Sequence, residues 1–301
     1  MAGADRLGGV TAAVIKFDSE EVPVTRTRIR KWRSNREPQM LPELLITMGG
    51  FVVGTLVGIS GVGGGALMTP LLVLSFGVAP QIAVGTDLIF AAVTKTAGLV
   101  VHGVRGSVDW QVFRRLSWGS LPAALLTLGY LKQYRSPVME QELITHVIGV
   151  ALIVTSTALL CRPFLHRFGG SRHADLPSTF KRLQGPCTVL AGAVVGMLVS
   201  LTSIGAGTLG ATLLVFLYPA RLKPAALVGT DIAHAIPLAF LAGAGHLAIG
   251  NVDFTLLRSL LIGSLPGIVL GSLISTKAPE RLIRVVLAII LALVGTRMLF
   301  K

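Results

Sequence analysis

Charged residues are scarce in this chain. Only 14% of its 301 residues are Asp, Glu, Lys or Arg, against about 25% in an ordinary soluble domain, which excludes most soluble readings. Aromatic residues make up only 6%, so the apolar character comes from Leu, Val, Ala, Ile and Gly. Two cysteines, Cys161 and Cys187, both border a central basic segment. Two thiols imply no disulfide framework. They form no CxxC pair, and the six histidines are scattered; no metal and no cofactor is expected. A phosphate-binding loop of the Walker type is missing too, which argues against ATP-driven pumping by this chain alone. No nucleophile–base–acid set recurs, so an enzyme is disfavoured.

Long uncharged runs are what the chain has instead. Leu44 to Thr86 holds 43 residues, and Leu183 to Ala220 holds 38, without one Asp, Glu, Lys or Arg. A bilayer span needs about 20 apolar residues, so each run suffices for nearly two passes. The expected fold is an all-α, polytopic transmembrane bundle whose partner is the lipid bilayer.

The net charge of +13 looks at first like a nucleic-acid signature, but its distribution opposes that. Arg26, Arg28, Arg30, Lys31, Arg33 and Arg36 cluster before the first span, and Arg162, Arg167, Arg172, Lys181 and Arg182 lie between two apolar blocks. Basic residues flanking spans orient a chain during insertion; no nucleic-acid partner is expected. Residues 1–40 are mixed in charge and read as a disordered cytoplasmic tail rather than a signal peptide.

The chain repeats itself at a shift of 144 residues. Val84-Gly85-Thr86-Asp87 returns as Val228-Gly229-Thr230-Asp231, His102 as His246, Val108-Asp109 as Val252-Asp253, and Gly119-Ser120-Leu121-Pro122 as Gly263-Ser264-Leu265-Pro266. From Val84 to Pro122, 15 of 39 positions are identical without a gap. Such duplication is common in secondary transporters. The expected organisation is a basic tail (1–40), a first transmembrane repeat (41–161), a cytoplasmic basic loop (162–184) and a second repeat (185–301), with a homo-oligomer left open.

Each half reads as four spans plus one short piece. The spans are Leu44 to Ser60, Gln81 to His102, Leu116 to Leu131 and Leu143 to Leu160, then Pro186 to Thr202, Pro224 to His246, Leu256 to Ser275 and Leu282 to Met298. The short pieces, Ala66 to Val78 and Gly207 to Tyr218, are too short for an ordinary crossing at about 1.5 Å per residue. If each dips in and returns, the tail, the Arg105/Arg114/Arg115 loop and the central loop all face the cytoplasm, as basic loops tend to. That favours about eight spans and parallel repeats. Inverted repeats with five crossings per half are the alternative.

The candidate chemistry sits where the halves match. Gly61, Gly63, Gly64 and Gly65 follow Ser60 in a charge-free stretch, where each glycine costs about 1 kcal/mol relative to Ala in a helix. They read either as close helix packing or as a helix break whose freed backbone N–H groups and following helix dipole face an anion. The second half offers a matching break at Ser203, Gly205, Gly207 and Thr208, and Thr86 and Thr230 add hydroxyls. Asp87, Asp231, His234 and Lys95 lie inside expected spans. Buried charge there costs at least about 2.5–3.5 kcal/mol at a helix centre and usually marks a pathway or relay. Lys95 has no counterpart, since Ala239 takes its place. His102 and His246 end their helices and read as helix caps or as carriers of a coupled proton, alongside Asp87, Asp231 and His234. Pro122 and Pro266 kink their spans, and Asp109 and Asp253 read as N-caps.

The ordered set of GVGGG, VGTD, a terminal His, GxVD and GSLP, repeated in both halves from about Leu41 onward, resembles the TauE/SafE family of membrane permeases. That resemblance implies a secondary transporter in a bacterial inner membrane, linked to sulfite export or to movement of sulfonates and other organosulfur anions. It also implies seven to nine spans in two duplicated halves. The second half departs from the pattern with GAGTLG in place of the triple glycine. A channel or carrier for an unrelated small ion, or a membrane-embedded protein without transport activity, are the competing readings.

Overall fold

The computed structural model describes residues 40–60, 65–102, 108–133, 137–171, 178–218, 221–222, 224–275 and 280–300. All regular structure among them is helical. The first half supplies α1 (Met40–Ser60), α2 (Gly65–Ser75), α3 (Pro80–His102), α4 (Trp110–Gln133) and α5 (Pro137–Ser171). The second supplies α6 (Ser178–Thr202), α7 (Thr208–Leu217), α8 (Pro224–Ile249), α9 (Phe254–Ser275) and α10 (Glu280–Leu299). The long spans and the two short pieces expected from apolarity fall on these elements, and Pro122 and Pro266 lie inside α4 and α9. The expected central loop is helical at 162–171 and again from 178. The expected tail, apart from its last residue, lies outside the described residues.

By length and composition, Glu142–Cys161, Arg182–Thr202, Ala225–Ile249 and Phe254–Ile274 can each cross a membrane, while Glu43–Ile59, Gly65–Ser75 and Thr208–Leu217 are apolar but shorter. The outward faces of α4, α6 and α9 carry large apolar side chains: Leu126 is 75% exposed, Leu190 67% and Leu273 68%. Such a surface suits acyl chains rather than water. The chain is a multi-pass membrane protein.

The two halves are interleaved. Gly50 and Gly54 of α1 lie against the backbone of Leu260 and Ser264 in α9, and Gly192 and Gly196 of α6 lie against Leu116 and Ser120 in α4. These are equivalent crossings, each built on a small-xxx-small pair that lets two helix backbones touch. Ascending numbers pair with ascending numbers, so α1 runs parallel to α9 and α6 parallel to α4.

The central pair, α3 and α8, runs the other way. The Asp253 amide, just past the end of α8, donates to Thr86 Oγ1 near the start of α3 (3.1 Å). The Asp109 amide, just past α3, donates to Thr230 Oγ1 near the start of α8 (2.9 Å). Equivalent helices that run antiparallel belong to an inverted duplication, so the expected parallel arrangement does not hold. α4 runs with α8, since Ser120 meets His234 and Leu128 meets Gly245. It follows that α1 and α6 enter the bundle from opposite ends. Residues 1–39 of the expected cytoplasmic tail and the loop segment at 172–177 themselves lie outside the described residues. Basic residues flank the spans at both ends, so their distribution carried no decisive sidedness signal.

Asp109 and Asp253 are N-caps as expected. Asp109 Oδ1 accepts from the amides of Gln111 and Val112 (3.1 Å each), and Asp253 Oδ1 from those of Thr255 and Leu256 (2.8 and 3.1 Å). Each aspartate thus starts a helix with its carboxylate and ties it to the opposite half with its own amide.

Candidate functional site

The second-half break is built by backbone that an ordinary residue avoids. α6 ends at Thr202, and Ser203, Gly205 and Gly207 follow with φ of 60°, 121° and 133°. Glycine adopts such angles freely; Ser203 does so at a cost, and strain of this kind collects at functional sites. The turn is held by Ser203 N–H donating to the Val199 carbonyl (2.8 Å) and Ile204 N–H to Thr202 Oγ1 (3.1 Å). Ser203 is only 6% exposed, and its hydroxyl is directed at the Asp87 carboxylate of α3. α7 then starts at Thr208, which is buried.

The first half meets this break directly. A side chain at Gly65, the first residue of α2, would run into the Ser203 carbonyl and lie 2.9 Å from its hydroxyl. Close approach of two backbones is what glycine permits. Ser60 ends α1, but its side chain, together with Gly61, Gly63 and Gly64, lies outside the described residues.

Lys95 reaches the same place from α3. Its ammonium donates to the carbonyl of Ala206, inside the break, at 2.7 Å. Its charge acts on Asp231, on Asp87 and on His234. Asp87 is fully buried; its Oδ2 accepts from Thr69 Oγ1 of α2 at 2.6 Å, and the Ser203 hydroxyl is directed at the same carboxylate. Asp231 is buried with its carboxylate against Gly210 of α7, where no side chain could fit. His234, fully buried one helical turn later, shares a 2.7 Å hydrogen bond between Nε2 and Ser120 Oγ of α4.

The expected residues therefore divide into two groups. Gly65, Lys95, Ser203, Gly205, Gly207, Thr208, Asp87, Asp231 and His234 gather around the start of α2 and the break before α7. Thr86 and Thr230 spend their hydroxyls on the opposite half's capping aspartates. His246 is fully buried and bonds through Nε2 to the Ser200 carbonyl of α6 (2.8 Å). The side chain of His102 lies outside the described residues. Thr69, Ser120 and the Ala206 carbonyl join the site without having been anticipated; of these, only Ser120 carried a signal, as part of the repeated GSLP.

The model of the family described as Sulfite exporter TauE/SafE matches residues 46–298, which take in both halves and the break between α6 and α7. The chain belongs to the TauE/SafE family. It is 38% identical over 256 residues to the probable membrane transporter protein YjnA of Bacillus subtilis, a match covering 84% of this chain and 98% of that protein. The probable membrane transporter protein YunE of the same organism is 35% identical over 276 residues, covering 86% of this chain and 97% of the relative. A probable membrane transporter protein of the archaeon Methanocaldococcus jannaschii is 26% identical, covering 86% and 96%. No solved structure matches the chain. Both Bacillus relatives are spanned almost end to end.

Proposed function

We propose that the chain is a secondary-active permease for a small oxyanion, of the sulfite or organosulfur class, in the inner membrane of a bacterium. Transport is supported by the family and by the names of its relatives; the cargo class follows from the chemistry of the break. The observation that carries it is Lys95, whose ammonium sits 2.7 Å from a carbonyl of the segment that leads into α7. An ammonium has three donors, and an anion that takes one of them also meets the N-terminal end of α7. Helix N-termini favour negative charge, and the Ser203 hydroxyl lies buried there beside the Asp87 carboxylate. Broken helices with their positive ends toward an anionic group are a recurring transporter solution.

Inverted repeats make each half five segments, with α2 and α7 completing the count as short partners of the breaks. Alternating access then amounts to movement of one half against the other around a fixed site. The carboxylates Asp87 and Asp231 offset the charge of Lys95, and the coupled proton is carried by one of the titratable groups gathered around it. A cation carrier would need those carboxylates, and not Lys95, to dominate the break, and an enzyme would need a set of reacting groups that does not assemble among the described residues.

Purified protein in liposomes decides the matter. Uptake of sulfite, thiosulfate, sulfate and an organosulfonate is measured against chloride and against sodium. Saturable uptake of at least one sulfur oxyanion, reduced by the others in competition, is expected. Uptake of sodium or chloride alone would overturn the reading.

A further inference from the structure

We propose that the anion moves together with a proton held by His234, that Ser120 positions this imidazole, and that the proton seat belongs to the second half alone. The inference rests on the permease reading above and names its coupling group.

His234 is fully buried, and its Nδ1 has no hydrogen-bond partner among the described residues. Buried polar atoms in native proteins are nearly all paired, so an orphan calls for a reason. Its other nitrogen, Nε2, is fixed by Ser120 Oγ at 2.7 Å. When Nε2–H donates to that oxygen, Nδ1 presents a bare lone pair. A proton taken up there makes imidazolium, and it leaves again from the same nitrogen with no other bond broken.

The equivalent place in the first half shows what the fold alone requires. Phe90 stands where His234 stands, and Ser264 where Ser120 stands. Phe90 is buried in the core, and the Ser264 hydroxyl, also buried, has no partner among the described residues. The bundle is built with an apolar ring at this position in one half and an imidazole in the other. An architectural need would apply to both.

The groups facing His234 link it to the anion. Asp231 lies one turn before it on α8. From α3 comes Lys95, whose ammonium repels an imidazolium at His234 until a bound anion neutralises it; Asp87, on the same helix, acts on Lys95 in turn. α4 contributes Ser120, α7 contains no titratable side chain, and Lys181, Arg182 and Cys187 of α6 sit near its start, away from this depth. An anion seated at Lys95 and a proton on His234 attract each other, so each strengthens binding of the other by the same factor. That is symport.

Sulfite is the probe, taken up by proteoliposomes with and without an inward proton gradient. The readout is the ratio of the two rates, with folding checked by gel filtration. The wild type is expected to give a ratio of roughly ten. His234→Phe, which copies Phe90, should bring it to about one; His234→Gln provides the same test should the Phe variant not accumulate. Ser120→Ala should move the pH at which the ratio is half-maximal, and Ser120→Thr should restore it. A ratio in His234→Phe or His234→Gln equal to the wild type overturns the inference, as does wild-type uptake indifferent to the gradient. Wild-type protein that moves no sulfite under either condition overturns it together with the permease reading for that anion.

Discussion

The two halves share a frame and differ in chemistry. Thr86 receives the Asp253 amide as Thr230 receives that of Asp109, and Gly50 and Gly54 cross α9 as Gly192 and Gly196 cross α4. The differences are equally specific. Lys95 faces Ala239 across the repeat, His234 faces Phe90, and Arg221 faces Gly77. Features present twice hold the bundle together. Features present once concentrate at the second break and at one end of the bundle, where function needs only a single copy of each.

The largest effect expected from this comparison is all-or-none. Trp110 and Phe254 are equivalent positions, each starting a helix and each more than 60% exposed, at 63% and 61%. In a background with Cys161 and Cys187 replaced, cysteines at these two positions should react with an impermeant thiol reagent from opposite sides of the membrane. Labelling of both from the same side would contradict the inverted relation. A smaller effect separates frame from ligand chemistry at the threonines. Thr86→Val and Thr230→Val should each cost about 1 kcal/mol, the value of one buried hydrogen bond. Thermal unfolding should fall by a similar amount in both, with anion affinity unchanged. A loss of affinity in either variant would move that threonine from the frame into the site. The smallest effect belongs to Arg221, which joins Asp109 at 2.8 Å and Gln111 at 2.8 Å. Asp253 faces no such arginine, because Gly77 occupies the equivalent place. Arg221 is 42% exposed, so water screens the pair, and Arg221→Ala should cost only roughly half a kcal/mol. That loss should vanish at high salt; a larger, salt-independent loss would mark the pair as part of the shared frame.

Much of this was legible in the sequence because it is local. The duplication, the ten helical segments among the described residues, the second-half break and the capping aspartates all follow from short motifs and apolar runs. Asp87, Asp231 and Lys95 stood out because charge inside a span is rarely idle. The rest depends on contacts between distant residues. Lys95 meets Ala206 across 111 positions and Ser120 meets His234 across 114, and no motif spacing encodes either pair. The inversion was hidden for a different reason: basic residues flank both ends of the bundle, so loop charge did not rank the two topologies. Thr86 and Thr230 adjoin the aspartates in sequence, yet on a helix adjacent residues point about 100° apart, and their hydroxyls accept from the amides of Asp253 and Asp109.

The central claim is that an anion binds where Lys95 reaches the second break, and Lys95→Met tests it most directly. The variant removes the ammonium and keeps much of the apolar stem, so the helix contacts remain. A hydrogen bond to a charged group is worth about 1.5–3 kcal/mol, which corresponds to roughly a 10- to 100-fold change in affinity. Sulfite binding to purified protein should weaken by that factor in Lys95→Met, while the variant remains folded and monodisperse. Sulfite affinity equal to the wild type in a folded Lys95→Met protein would contradict the account.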